Sequence, residues 1–245
     1  MSLAARAIEA GPSLGRRIAE RDWTAVEAAL DEQGAAVLPG LLEAEECAEL
    51  AAHYDDSAGF RSTVVMARHG FGRGEYKYFR YPLPATVDAL RQNLYPRLAP
   101  IANRWNEAMR SPVQYPGTLA AWLERCHRAG QTKPTPLLLH YKAGDYNCLH
   151  QDLYGEHVFP IQATVLLSDQ RGFAGGEFVL TEQRPRQQSR AEVISLAQGD
   201  AVLFAVNHRP AMGARGYHRV TMRHGVSRLH SGERMTLGVI FHDAC

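Results

Sequence analysis

The chain has 245 residues, 45% of them hydrophobic, the size and composition of one large globular domain with or without a helical flank. Lys and Arg number 27 against 26 Asp and Glu, a net charge of +1. That excludes the global basic excess of a protein holding nucleic acid mainly through phosphates, and leaves only a local patch for that purpose. Four scattered cysteines (Cys47, Cys126, Cys148, Cys245) form no CxxC pair. This argues against a disulfide framework or a zinc knuckle and fits a reducing cytoplasm. Residues 1–15 lack the apolar run of a leader, and no stretch of about 18 apolar residues predicts a membrane span.

Asp22 or Thr24 is expected to cap a helix through residue 31, with Thr24 and Glu27 spaced as a capping box. Residues 35–38 are a short apolar run stopped by Pro39 and Gly40. Residues 43–54 carry helical apolar spacing in Cys47, Leu50, Ala51 and Tyr54. Residues 85–109 read as a helix interrupted near Pro96 and Pro100, and 118–129 as another stopped by Gly130. The first half is therefore predicted helical. The second half changes character. Residues 137–141, 158–167, 177–181, 193–196, 201–206 and 235–242 are short apolar runs, with turn signals at 143–145, 175–176 and 198–200. Strands without intervening helices predict an antiparallel double sheet or barrel, so the expected class is α+β. Residues 183–190 are polar enough for an exposed loop.

The chemistry centres on His150, Gln151 and Asp152. In an extended chain, residues i and i+2 project to the same side. His150 and Asp152 can thus aim one nitrogen and one oxygen at a common point. Two histidines and one carboxylate form the facial triad of non-haem Fe(II) sites that handle oxygen. A bare HxD is common in surface loops, so the weight rests on a third ligand. Three late histidines compete, His218, His224 and His230, with His208 and His242 as remoter candidates. His224 opens a short extended piece, and ten residues on stands Arg234, at the start of an apolar run to Phe241. An arginine there can clamp a carboxylate with its bidentate fork. Thr236 faces the same side and can add a hydroxyl. His224 is the expected third ligand.

The order HxD, His, RxT resembles the 2-oxoglutarate/Fe(II)-dependent dioxygenase superfamily. The His-to-Arg spacing is similar to its prolyl-hydroxylase-like branch rather than to the AlkB-like demethylases. The segments HQDLYGEHVFP, GGEFVLTEQRPR, QGDAVLFAVNHRP and RHGVSRLHSGER resemble one bacterial family of 2-oxoglutarate/Fe(II) oxygenases labelled as acting on damaged DNA, over residues 34–244. The resemblance implies a double-stranded β-helix, or jelly roll, with N-terminal flanking helices. It implies a helical extension over residues 1–33 and a dioxygenase domain over 34–245, with helical support in 34–132 and the jelly-roll core in 133–245. It further implies Fe(II) on His150, Asp152 and His224, O2 as oxidant, and 2-oxoglutarate held at its far carboxylate by Arg234 and Thr236, with Tyr141. A carboxylate at position 152 argues against a halogenase.

For the substrate, residues 68–79 stand out, with glycines alternating among Arg68, His69, Arg73, Tyr76 and Lys77 and no strand or helix period. Such a loop can bring backbone close to a ligand and form a lid. Tyr154 and Gln162 are the other expected substrate contacts, and the basic run 208–215 is an expected loop near the open end of the barrel. The leading expectation is hydroxylation of a small-molecule or amino-acid-type substrate. The alternatives are oxidative demethylation of damaged nucleobases, with nucleic acid as partner, and a non-catalytic jelly-roll binding protein. The sequence carries no signal of oligomeric state.

Overall fold

The computed structural model describes residues 13–214 and 216–245. Residues 1–12, which carry most of the leader reading and the start of the 1–33 extension, lie outside the described residues. So does Arg215, at the end of the basic run.

Ser13 caps α1 (Leu14–Ala19) and Asp22 caps α2 (Trp23–Gln33), each side chain accepting a backbone N–H three residues on. Thr24 and Glu27 form no capping box, because α2 already starts on Asp22. The box occurs at Glu43 and Glu46, around the start of α3 (Ala44–Ala52). Between α2 and α3 runs β1 (Ala35–Leu38), and α3 is followed by β2 (Phe60–Val65), β3 (Gly72–Arg73) and β4 (Glu75–Phe79). The expectation of a mainly helical first half, with a period-free loop at 68–79, is therefore corrected at β2, β3 and β4. β-Branched and aromatic residues such as Val64, Val65, Tyr76 and Tyr78 favour strands, and the interspersed glycines obscure that alternation.

Next come α4 (Ala85–Ala108) and α5 (Leu119–Arg128). α4 runs through Pro96 and Pro100 without the expected interruption. Both prolines lie on its exposed face, where water can take up the carbonyls they leave unpaired. The rest is β5 (Leu137–Lys142), β6 (Tyr146–His150), β7 (Ile161–Leu166), β8 (Phe173–Gly175), β9 (Phe178–Gln183), β10 (Arg190–Ile194), β11 (Ala201–Ala205), β12 (His208–Gly213), β13 (Gly216–Val226) and β14 (Leu229–Val239). The run read as a basic loop is the hairpin β12–β13. Its Arg209 is buried and pairs with Glu182 and with the carbonyls of Asp31 and Glu32, so the charge serves packing rather than an exposed surface.

The strands form two antiparallel sheets. The larger has eight strands in the order β1-β11-β7-β14-β5-β4-β2, with β8 on β14; the smaller has six in the order β10-β9-β13-β6-β3, with β12 on β13. In chain order, β5, β6, β7, β9, β10, β11, β13 and β14 enter them as large, small, large, small, small, large, small, large. That is the winding of a double-stranded β-helix. Gln162, Thr164, Thr236 and Gly238 of the larger sheet line a cavity. Alternation leaves Val165, Leu203, Leu237 and Val239 for the other face. These four share one core with Leu90, Leu94, Leu98 and Trp105 of α4 and with Leu14, Ile18, Val26 and Leu30 of the first two helices. Among the described residues, no helix is long and apolar enough to cross a membrane.

Two buried polar groups near the last residue tie helices to sheets. Arg91 of α4 meets Asp243 at 3.1 Å, with both side chains almost wholly buried. Asp243 also accepts from Tyr81 at 2.9 Å and stands 2.9 Å from His127. Removing one partner of such a pair leaves an uncompensated buried charge. Arg91→Met is expected to destabilise the fold by about 3–5 kcal/mol in a denaturant titration. His242 is fully buried, and its Nδ1 accepts from the Phe159 N–H at 3.2 Å. Burial pushes it down to about 4 from 6.5. Its folded value is depressed, so its contribution is complete above pH 6.5 and is lost as the pH falls towards 4. The difference amounts to about 3 kcal/mol. Thermal unfolding followed from pH 7 to pH 4 is expected to fall less steeply in His242→Leu than in the parent chain.

Candidate metal centre

β6 ends on His150, and Asp152 follows two residues on, just past the strand. Gln151 between them is held by its amide, which donates to the carbonyls of Met222 at 2.7 Å and Asn207 at 3.3 Å. His150 and Asp152 bring their donor atoms to a common point, as expected of residues i and i+2. β13 pairs with β6 so that His224 lies directly opposite His150. The register shifts just beyond, between His224 and Val226, where Gly225 passes very close to β6. A Cβ on Gly225 would stand 2.6 Å from the Asn147 carbonyl oxygen, so only glycine allows that approach.

Donor atoms of His150, Asp152 and His224 all lie within 4.8 Å of one another. Nε2 of His150 is 3.4 Å from Asp152 Oδ1, and Nε2 of His224 is 3.4 Å from Oδ2. His150 Nδ1 is 2.8 Å from the Cys148 carbonyl, which makes Nδ1 the protonated nitrogen and leaves the Nε2 lone pair free. Burial opposes ionisation of Asp152, but hydrogen bonds with the two imidazoles outweigh it and hold the carboxylate well below its usual range. Burial lowers His224, against the pull of Asp152. At His150 the same burial is overcome by Asp152, and the value rises. Two imidazoles and an ionised carboxylate suit a first-row cation such as Fe(II) and leave part of its coordination sphere open.

The cluster borders a cavity of about 310 Å³ between the two sheets. Its walls include Leu139, Phe178, Phe204 and Ile240, and among its polar residues are Tyr141, Gln162, Thr164 and Thr236. Tyr141 Oη and Gln162 Nε2 are buried without a hydrogen-bond partner, as is Arg234 Nη1. Buried donors are rarely left so. The Tyr141 and Gln162 donors at the cavity wall, with Arg234 close behind, fit an oxygen-rich ligand in that space. Arg234 pairs in register with Tyr141, its guanidinium 5.8 Å from the ring centre. It stands beyond the end of the main cavity and lines a smaller one, about 180 Å³, with Gly176, Glu177 and Phe178. Burial raises the Tyr141 hydroxyl, which stays a neutral donor. Burial also lowers Arg234, partly offset by Tyr141 and Glu177.

The structure brings Tyr76, Tyr141, Tyr154, Gln162 and Thr236 to the main cavity beside the three candidate ligands. Lys77 is a correction. Alternation along β4 sends it to the far side, where it donates to the Tyr54 carbonyl at 3.0 Å and lies 4.0 Å over the Tyr54 ring. Arg68 and His69 sit on an exposed turn, and Arg73 reaches only Asp145, at 3.9 Å. His69 stacks on Phe71 with ring centres 5.3 Å apart, and Phe71 lines the cavity mouth. Tyr154 lines the cavity but directs its hydroxyl at Asp152. His218 and His230 stand outside the cluster, in register with Ala211 and beside Gly175 respectively. Sequence reasoning missed Phe71, Thr164, Phe178 and Phe204. The last two follow from the pleat, since both lie at the face-determining parity of β9 and β11.

A family model named Oxygenase-NA, described as an oxygenase catalysing oxidative methylation of damaged DNA, matches residues 74–244. Uncharacterised proteins from two strains of Mycobacterium tuberculosis are 47% identical over 167 residues, covering 68% of this chain and 72% of theirs. Among solved structures, a prolyl 4-hydroxylase from Phytophthora capsici superposes with a TM-score of 0.55 at 16% identity, covering 94% of this chain and 66% of its own. A 2OG-Fe(II) oxygenase-family oxidoreductase from Burkholderia pseudomallei gives 0.53 at 18%, covering 92% and 94%. A Trichoplax adhaerens prolyl hydroxylase, solved with a peptide of hypoxia inducible factor, gives 0.52 at 14%, covering 94% and 92%. At such identities these likenesses speak for the fold.

Titration with Co(II), followed by its visible absorption, is expected to show one tight site in the parent chain. His224→Ala and Asp152→Ala lose it, whereas His218→Ala and His230→Ala keep it. Retention in His224→Ala would reject the cluster.

Proposed function

The chain belongs to the Oxygenase-NA family, and from that premise we propose that His150, Asp152 and His224 hold Fe(II) while Arg234, Thr236 and Tyr141 hold 2-oxoglutarate. The family match, the jelly-roll fold and the His-Asp-His cluster together support the reading of the protein as a 2-oxoglutarate/Fe(II)-dependent dioxygenase that uses O2. We further infer that it hydroxylates a small-molecule or amino-acid-type substrate, with residues 34–245 as its oxygenase domain. The single observation that carries the site reading is spatial. The clustered ligand atoms and two unpartnered buried donors, on Tyr141 and Gln162, meet at one largely apolar cavity, with Arg234 just beyond it.

Iron and O2, when bound, supply the oxidation that couples 2-oxoglutarate decarboxylation to oxygenation of the substrate. The protein's own groups set the conditions. Cys148 fixes the His150 tautomer, and the ionised Asp152 supplies a negative ligand. Tyr141 and Thr236 offer hydroxyls and Arg234 a guanidinium, a set that matches a carboxylate end-group. Leu139, Phe178, Phe204 and Ile240 keep the surroundings apolar, which strengthens those polar contacts.

A second reading, oxidative repair of a damaged nucleobase, is favoured by the family's description and by the stacked His69–Phe71 pair beside Arg68 and Arg73. Near-zero net charge favours the first reading. Iron-loaded protein is expected to convert 2-oxoglutarate to succinate without added substrate. Arg234→Ala is expected to raise the half-saturating 2-oxoglutarate concentration about 10- to 100-fold, the worth of a lost charged hydrogen bond. An unchanged requirement rejects that role. Salt-dependent binding of single-stranded DNA, together with turnover of methylated bases, would move the conclusion to the second reading.

A further inference from the structure

Asp152 belongs to a stretch, residues 151–160, that forms no strand or helix before β7. A ligand on irregular backbone needs other restraints, and two are visible. One acts on the backbone. The fully buried Gln131 directs its amide nitrogen at the carbonyls of Tyr154 (3.0 Å), His157 (3.0 Å) and Asp243 (2.6 Å), and its oxygen accepts from the His157 N–H at 2.7 Å. The chain passes so near that a Cβ on Gly155, at φ +102°, would meet Gln131 Cδ at 2.6 Å.

The other restraint acts on the carboxylate itself. Tyr154 donates its hydroxyl to Asp152 Oδ1 at 2.7 Å, and Tyr78 donates to the Tyr154 hydroxyl at 3.1 Å. Tyr78 is fixed in turn. The Arg61 guanidinium lies 4.4 Å over its ring and donates to the Pro134 carbonyl at 2.7 Å. Tyr76 stands edge-on to Tyr78 with ring centres 5.4 Å apart. A phenol has one hydrogen to give. Tyr154 gives it to Asp152, so this hydroxyl is committed away from substrate.

We propose that Tyr154, backed by Tyr78, is a positioning residue for Asp152: it occupies Oδ1 so that the carboxylate offers the cation a single oxygen, Oδ2. The proposal rests on the reading of His150, Asp152 and His224 as metal ligands. Its consequence is a count of coordination positions. A carboxylate binding through one oxygen fills one position, whereas a chelating one fills two. With two imidazoles, the first arrangement leaves three positions of an octahedron, enough for a chelating 2-oxo acid and O2. Outer-shell partners of metal ligands commonly change affinity by about 10- to 100-fold.

The test uses the full chain and Co(II). Tyr154→Phe removes one oxygen and keeps the ring that packs edge-on to Tyr78. The expected result is Co(II) affinity about 10- to 100-fold weaker, with weaker visible bands as a second carboxylate oxygen joins the metal, at an unchanged melting temperature. A purely packing role would leave the bands alone. Tyr78→Phe is expected to shift affinity and bands in the same direction but less, and decides the matter should Tyr154→Phe not fold. Parent-like affinity and bands in Tyr154→Phe, or in Tyr78→Phe where only that variant folds, overturn the proposal while leaving the metal site standing. A parent chain that binds no Co(II) overturns the ligand reading and the proposal with it.

Discussion

The antiparallel pairing of β6 with β13 sets His224 directly across from His150. A sheet fixes the Cα separation of such a pair at roughly 5 Å, so the two imidazoles are brought together by backbone hydrogen bonds rather than by their own attraction. Their rings stand 4.2 Å apart, a contact that two cations would avoid. A slip of one residue along β13 would turn His224 away and bring Arg223 to face the carboxylate. The bulge at Gly225 guards against this, because only glycine fits against the Asn147 carbonyl at that step.

Charge then follows from position. One carboxylate lies between two imidazoles in a place from which most water is excluded. Burial alone would favour a neutral acid, yet the nearby hydrogen bonds keep Asp152 ionised. Around it, tyrosine hydroxyls pushed up by burial stay protonated and can only donate or accept as neutral groups. The cavity thus has a fixed negative group at the cluster and a positive group, Arg234, beyond its end. A molecule with a carboxylate at one end and metal-binding oxygens at the other matches that polarity.

Much of the site was readable because it depends on local periodicity. His150 and Asp152 share a side through the two-residue repeat of an extended chain, and so do Arg234 and Thr236. Choosing His224 among its neighbours needed the distance to Arg234, which is set by the short connection that carries the chain from β13 in the smaller sheet to β14 in the larger. What escaped depended on partners far along the chain. Residues 68–79 looked loop-like because their glycines broke the pattern, while β3 and β4 exist by pairing with β6 and β5. Lys77 was expected near the substrate because its type suits one, but strand parity sends it the other way. Pro96 and Pro100 do not break α4 because its opposite face is held by the core. Tyr154 was expected to contact substrate, and its hydroxyl bond to Asp152 only becomes visible once the irregular stretch after β6 is folded.

The Arg91–Asp243 pair joins positions 152 residues apart. On a ribosome, α4 emerges long before residue 243 has been added, so a guanidinium destined for burial has no counter-charge while most of the chain is being made. The neighbouring groups keep the same timetable: Gln131 waits for Asp243, Tyr141 for Arg234, and the larger sheet for β14 at its middle. Local helices can form early, but the chamber cannot close until synthesis has passed Asp243. Until then, apolar surface and unpaired strand edges of both sheets are exposed together, and this is the interval in which the nascent chain is most vulnerable to aggregation.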